Sequence, residues 1–154
     1  MITAVVPSEK NYEIKSYEAN ANGEIKPSFL LHRLEDIAHI NADLLGFGYS
    51  NTYAKGLGWF VLKYHLKFDR MPRSWENIKI KSWPTPQKGI QCRRDFEVCD
   101  ENGNKIGAAA SLWVLIDLNT KKSLLAGNSN EGNEELSEEE KLIADLNAKF
   151  SKGE

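Results

Sequence analysis

A long segment in which apolar residues recur at a helical period is followed by segments in which they recur at a strand period, and this order limits the folds that the chain can adopt. Pro27 and Ser28 are helix start signals, and apolar residues then recur three or four apart until Gly46 and Gly48 end the pattern. The pattern predicts one long, largely buried helix. Its inward stripe comprises Leu30, Leu34, Ile37, Ala38, Asn41, Leu44 and Leu45.

Four segments after the helix alternate apolar and polar residues, which is typical of half-buried strands. They cover residues 60–69, 77–83, 89–99 and 105–118, and the turn residues 100–104 join the last two as a hairpin. A further strand is predicted before the helix, over residues 12–18. The inward rows predicted for the first and last of the four segments are Phe60, Leu62, Tyr64, Leu66 and Phe68, and Ile106, Ala108, Ala110, Leu112, Val114 and Ile116.

One strand, one long helix and a meander of four strands indicate an α+β protein with the hotdog fold, in which a curved antiparallel sheet wraps around the helix. A helix lying on a flat sheet is the alternative that we favour less. We assign residues 8–123 to a single hotdog domain, 124–136 to an acidic flexible linker and 137–154 to a short amphipathic tail helix. Because one helix cannot cover two sheet faces, we expect a homodimer or a second hotdog domain.

Composition excludes several classes of protein. No apolar run approaches the ~20 residues that cross a bilayer, and the N-terminus lacks the pattern of a secretion signal, so we expect no membrane span and a cytoplasmic location. Cys92 and Cys99 lie on opposite faces of one predicted strand and cannot bridge each other. Neither metal-ligand spacing nor a cofactor or nucleic-acid motif is present, so we expect no metal, no cofactor and no nucleic-acid partner.

The polar face of the predicted helix carries the first candidates for chemistry. His32, Glu35, Asp36 and His39 lie three or four residues apart and can meet side by side. A carboxylate or imidazole beside an acyl pocket could activate water for ester hydrolysis, which makes Glu35, Asp36 and His39 catalytic candidates. From the residues alone, a face that is solvated or paired across a subunit contact is the better interpretation.

Two polar residues fall in rows that should face inward. Asn41 lies in the apolar helix stripe, so its amide must bond to the surrounding sheet or to a thioester carbonyl, and the structural bond is the favoured case. Arg94 shares the parity of inward residues on its strand. An ion pair with Glu35, Asp36 or Asp95 would account for its burial.

The second face of the sheet is also partly apolar. Trp59, Trp83 and Trp113 are predicted there, opposite the main apolar rows, with Val61 and Leu115 beside two of them. A patch of that size predicts cover by the tail helix, a second subunit or an acyl chain, and we favour a protein partner. The basic residues best placed to bind an acidic carrier are Arg70, Arg73, Lys88 and Arg93, although a solvated surface explains them equally well.

Several segments together resemble the N-terminal hotdog domain of bacterial acyl-acyl-carrier-protein thioesterases, over roughly residues 12 to 122. They are Leu34-Glu35-Asp36-Ile37-Ala38-His39, Trp59-Phe60-Val61-Leu62, Arg70-Met71-Pro72, Trp83, Arg94-Asp95-Phe96 and Ser111-Leu112-Trp113-Val114-Leu115. Members of that family fuse two hotdog domains and hydrolyse the thioester between a fatty acid and its carrier. Their first domain shapes the acyl pocket, and an Asp-x-Asn-x-His-x-Asn segment of the second is catalytic. This sequence has no such segment, so no catalytic residue is carried over.

Three functions follow as expectations. The first is an acyl-acyl-carrier-protein thioesterase of fatty-acid synthesis, of which this chain would be the acyl-pocket half. The others are a non-catalytic acyl-binding or regulatory module and a homodimeric single-hotdog coenzyme A thioesterase. The substrate would be a thioester of acyl carrier protein or coenzyme A, and the predicted substrate-binding residues are Leu34, Ile37, Ala38, Asn41, Leu45 and Phe60.

Overall fold

A curved antiparallel sheet holds one long helix against its inner face in the computed structural model, which describes residues 6–85 and 91–120. Within those residues the sheet has five strands in the order β1-β3-β4-β5-β2, and this arrangement confirms the predicted hotdog fold. The elements are β1 Ser8–Glu13, α1 Pro27–Leu44, α2 Tyr49–Thr52, β2 Leu57–Phe68, β3 Asn77–Thr85, β4 Cys92–Asp100 and β5 Lys105–Asp117, with short 3-10 turns at Ser16–Glu18 and Tyr53–Lys55.

Helix α1 begins where the start signals predict, with Pro27 in its first turn. It ends at Leu44, and Gly46 follows with a φ of 88°, a left-handed conformation that favours glycine. Five of the seven residues of the predicted stripe are buried, namely Leu30, Leu34, Ile37, Ala38 and Asn41, whereas Leu44 is 66% exposed and Leu45 is partly exposed. Leu30, Leu34, Ile37 and Ala38 belong to one hydrophobic core, which they share with Ile78, Ile80, Phe96 and Val98 of β3 and β4.

The hairpin between β4 and β5 is also confirmed. The backbone N–H of Asp100 donates to the carbonyl of Asn104 at 2.8 Å, and Gly103 has a φ of 86°. Both cysteines are unbridged, as expected from their placement on β4.

The prediction for the first strand is wrong in position. The strand begins at Ser8 and ends at Glu13, and residues 16–18 form a 3-10 turn instead. The turn carries Glu18 inward, where its side chain is 2% exposed and accepts hydrogen bonds from the Lys15 N–H at 2.9 Å and from Arg33.

The inward rows predicted for the first and last strands of the meander are partly wrong. The register of β2 against β5 shifts between Val61 and Lys63, so Trp59 and Val61 pack on the core while Phe60 and Leu62 are 48% and 52% exposed. A bulge of this kind reverses the facing of the residues on one side of it. A shift between β4 and β5 similarly places Ala109, Ser111, Trp113 and Leu115 among the buried residues, in place of the predicted Ala108, Ala110 and Leu112.

Of the three tryptophans predicted on the outer face, Trp83 alone alternates with the buried residues of its strand as expected. The linker and the tail helix, predicted at 124–136 and 137–154, lie outside the described residues. No helix in the described part of the chain is both long and apolar enough to span a membrane.

Candidate functional site

A cleft opens between the last turns of α1 and the sheet, at the end where β2 begins and β5 finishes. Its cavity volume is about 60 Å³. The residues that line it come from α1, the segment after α1, and all of the strands except β1. They are Ala38, His39, Ala42, Leu45, Phe47, Gly48, Trp59, Pro84, Cys92, Arg93, Arg94 and Trp113.

The apolar walls of the cleft follow from the side chains that face it. Ala38 and Ala42 are one helical turn apart, and their small side chains leave space beside the sheet. Two indole rings form the opposite wall. The Trp59 Nε1 donates to the Phe47 carbonyl at 2.9 Å and the Trp113 Nε1 donates to Ser111 Oγ at 2.7 Å, so both indole N–H groups are bonded within the protein.

Gly48 closes the helix end of the cleft and tolerates no side chain. A Cβ added there would lie 1.7 Å from Asp43 Oδ1 and 2.7 Å from the Asp43 backbone nitrogen. Because backbone cannot move aside as a flexible side chain can, the close approach requires glycine. The short segment after α1 is thereby held against the cleft.

A buried polar network lies beside the cleft and reaches its lining through Arg94. Asn41, which is fully buried, donates from Nδ2 to the Val6 carbonyl at 3.1 Å and to Ser8 Oγ at 2.9 Å. Its Oδ1 accepts from Arg94 Nη1 at 2.8 Å, and the same Nη1 donates to Ser82 Oγ at 3.1 Å. These bonds connect β1, α1, β3 and β4, so the structural interpretation of Asn41 is the one that the geometry supports.

Arg94 points inward as its parity predicts and is 8% exposed. The predicted ion pair with Glu35, Asp36 or Asp95 is wrong: none of these carboxylates bonds to Arg94 in the part of the chain that the structure describes. Asn41, a neutral amide, occupies the position opposite the guanidinium. Burial lowers the pKa of Arg94 to about 10, so the group is still protonated at neutral pH.

The three catalytic candidates do not converge on one point. Asp36 faces β1, where Lys10 Nζ donates to it at 3.0 Å and the Tyr12 hydroxyl at 2.6 Å. Glu35 interacts electrostatically with Tyr64 on β2, where burial and that carboxylate raise the pKa of the phenol. His39 is the one candidate that lines the cleft, with its ring edge-on to Trp113 at a centroid distance of 6.2 Å.

The predicted substrate-binding residues separate into distinct positions. Ala38 and Leu45 line the cleft, whereas Leu34 and Ile37 are fully buried in the core beside it. Phe60 lies on the other face of β2 because of the bulge. Sequence reasoning missed Trp59, Trp113, Cys92 and Pro84 as lining residues, and for the two tryptophans the fault was the assumption of uninterrupted alternation.

The predicted basic surface does not form as one patch. Arg93 lines the cleft and is paired with Asp95 at 3.0 Å. Two of the others lie beyond the far end of β2. Arg70 is paired with Glu76 there, and Arg73 donates to the Asn22 carbonyl at 2.8 Å. A strand of this length spans roughly 36 Å, so these arginines cannot act together at the cleft mouth. Lys88 lies outside the described residues.

Comparison of the sequence with protein families identifies a family. The model of the acyl-ACP thioesterase N-terminal domain matches residues 7–125. None of the curated protein sequences matches the chain significantly.

Comparison with solved structures gives the same class of fold. An acyl-ACP thioesterase from Bacteroides thetaiotaomicron superposes with a TM-score of 0.72 at 27% identity, over 85% of this chain and 57% of that one. A putative oleoyl thioesterase from Lactobacillus plantarum gives 0.73 at 23% identity, over 77% of this chain and 46% of that one. The chain therefore spans about half the length of these two proteins. A DHNA-CoA thioesterase from Staphylococcus aureus gives 0.73 at 17% identity, over 95% of this chain and 89% of that one.

Proposed function

The chain belongs to the acyl-ACP thioesterase N-terminal domain family, and from that premise we propose that it is the acyl-holding half of a fatty-acyl thioesterase. The observation that carries the proposal is the cleft between α1 and the sheet. Alanine, leucine and indole side chains form most of its walls and suit a hydrocarbon chain.

The small volume of the cleft supports the proposal that it forms only part of an acyl-binding pocket. Pockets that enclose a whole small ligand measure roughly 300 to 1,000 Å³, whereas this cleft has a cavity volume of about 60 Å³. A long acyl chain therefore needs walls beyond those of the described residues. A second hotdog unit, either another domain or another copy of the chain, would supply them.

Strand β2 is the place we propose for that second unit. It is an edge strand of the described sheet and 12 residues long, and unpaired edges of that length are prone to pair with another chain. Its outer face exposes Phe60 and Leu62. Burying these two side chains against a partner would remove apolar surface from water.

Hydrolysis of an acyl thioester needs a base that removes a proton from water as the water attacks the carbonyl carbon, after which the thiolate leaves. We propose that the second unit supplies this base and that the present chain binds the acyl group. The thioester would be that of acyl carrier protein or coenzyme A. Arg93 is the predicted carrier-binding residue that also lines the cleft.

A second candidate function is a chain that hydrolyses coenzyme A thioesters as a homodimer. The observation that favours it is the position of His39 at the cleft, where its imidazole could act as the base. On this hypothesis His39→Gln would abolish turnover and leave acyl binding unchanged.

The test compares binding and turnover in three proteins. Wild type, Ala42→Phe and the control Ala54→Phe, a matched change at an exposed position of the 3-10 turn 53–55, are titrated with decanoyl-coenzyme A while tryptophan fluorescence is followed. We expect Ala42→Phe to lose binding because the added ring fills the cleft, and Ala54→Phe to retain it.

Release of free thiol is measured on the same three proteins and on a fourth, His39→Gln. Binding without turnover supports the acyl-holding half, and turnover that His39→Gln removes supports the second candidate. If wild type does not bind the acyl group, or if Ala42→Phe binds it as well as wild type, the proposed function is wrong.

A further inference from the structure

The hydrogen-bond donors of Arg94 are only partly used by the protein. A guanidinium carries five N–H donors, and the two on Nη1 go to Asn41 Oδ1 and Ser82 Oγ. The remaining donors, on Nε and Nη2, have no acceptor within residues 6–85 and 91–120. Arg94 is 8% exposed and lines the cleft, so these donors belong to a buried cation beside an empty space.

The charge of Arg94 also lacks a counter-ion among the described side chains. The titratable groups that interact with it are Cys92 and Tyr64. Burial raises the pKa of the Cys92 thiol to about 12 and raises that of the Tyr64 phenol as well, so both are neutral at pH 7. Asp95, the adjacent carboxylate, is bonded to Arg93 and to Thr85. Arg94 therefore presents a positive charge to the cleft with no anionic group of the described residues paired to it.

The geometry points to a carboxylate as the missing partner, and we propose that the cleft binds a carboxylate carried by an aliphatic chain against Nε and Nη2 of Arg94. The proposal rests on the proposed acyl-binding function, because the chain that enters the cleft is the acyl chain. Nε and Nη2 form one side of the guanidinium fork, which matches the two oxygens of a carboxylate. Alanine and indole walls accept the aliphatic part.

Two sources share this chemistry. One is the free fatty acid that hydrolysis releases, whose carboxylate would turn towards Arg94. The other is an acyl substrate that carries a second carboxylate at its far end. An unsubstituted alkyl chain has no acceptor for Nε and Nη2 and would cover the guanidinium without pairing it.

The first experiment varies the ligand and uses the wild-type protein alone. Decanoate, 1-decanol and methyl decanoate are titrated at pH 7 by calorimetry. We expect decanoate to bind about 10-fold or more tightly than the neutral ligands, as a charge-assisted hydrogen bond predicts. Equal affinities would overturn the inference but leave the acyl-binding function intact, whereas binding of no ligand would overturn the proposed function and this inference together.

The second experiment varies the arginine. Arg94→Met should lose the preference for decanoate over the neutral ligands, while Arg94→Lys should keep part of it. The control is Lys105→Met, an exposed cation that pairs with Glu97 at the end of β5 away from the cleft, and it should keep the full preference. A preference that survives Arg94→Met overturns the inference.

Circular dichroism checks that each variant is folded. If Arg94→Met is not folded, the comparison of Arg94→Lys with Lys105→Met decides by the same criterion. Thioesters separate the two sources: tighter binding of ω-carboxydecanoyl-coenzyme A than of decanoyl-coenzyme A assigns the site to a substrate carboxylate. Equal binding of the two thioesters, with decanoate still preferred over decanol, assigns it to the product.

Discussion

Replacement of Asn41 by alanine tests the network that joins α1 to the sheet. The substitution removes two bonds to neutral acceptors, the Val6 carbonyl and Ser8 Oγ, and one bond from the charged Arg94. A neutral bond contributes about 1 kcal/mol and a bond to a charged group about 2 kcal/mol. The expected loss is therefore about 4 kcal/mol, a large part of the ~5 to 15 kcal/mol that stabilises a domain.

Urea denaturation followed by tryptophan fluorescence and far-UV circular dichroism measures this loss. With a denaturant slope of about 2 kcal/mol/M, the midpoint should fall by about 2 M. Asn51→Ala is the matched control, because Asn51 is exposed in α2. Its free energy of unfolding should change by no more than ~0.5 kcal/mol.

A double-mutant cycle with Arg94→Met isolates the bond between the two side chains. We expect the two substitutions together to cost less than the sum of the single effects, since each one already removes the shared bond. A loss below about 1 kcal/mol for Asn41→Ala, or full additivity in the cycle, would refute the claim that this network fastens the helix to the sheet.

Three further predictions concern other positions. Gly107→Ala should destabilise the fold by about 1 to 3 kcal/mol, because the new Cβ would lie 2.2 Å from the Phe68 ring; an unchanged urea midpoint would contradict this. The Arg70 hydrogen bond lowers the pKa of Glu76, so the pair stabilises the fold above the ordinary carboxyl pKa and this contribution is lost as pH falls through the lowered value. Arg70→Met should therefore lower the urea midpoint of the protein at pH 7 and have no effect on it in acid. A difference between variant and wild type that is the same at pH 7 and pH 3 would contradict this. Burial raises the pKa of Cys92 to about 12, so its thiol should react slowly with maleimide in the folded protein. In a variant without the second cysteine, we expect the folded protein to be labelled more slowly than the urea-unfolded protein, and more slowly still when decanoate fills the cleft. Labelling that decanoate does not slow would place the ligand elsewhere.

The fold could be predicted from the sequence because its signals are local and repeated. Pro27, the apolar stripe and the glycine after the helix each specify part of α1, and the hairpin at residues 100–104 has its own turn chemistry. The facing of β2 could not be predicted, since nothing in the alternation marks the bulge between Val61 and Lys63. A single extra residue reverses the side chains on one side of it.

The site was harder to predict for a related reason. The contact between Arg94 and Asn41 joins residues 53 positions apart. Each could therefore be identified as an inward-facing polar residue, but not as the partner of the other. The cleft itself depends on which side chains are small where the helix meets the sheet. Ala38 was predicted from the helical stripe, whereas Trp59 and Trp113 depend on strand register and were placed on the wrong face.

The four tryptophans allow a direct test of where an acyl chain binds. Trp59 and Trp113 line the cleft, whereas Trp83 lies on the outer face of β3 and Trp75 is 63% exposed beside the far end of the sheet. In a proton–nitrogen correlation spectrum recorded during a decanoate titration, we predict that the indole signals of Trp59 and Trp113 shift together and saturate. The signals of Trp75 and Trp83 should stay in place. Shifts confined to Trp75 and Trp83, or no shift in any indole signal, would contradict the proposal that the cleft between α1 and the sheet holds the acyl chain.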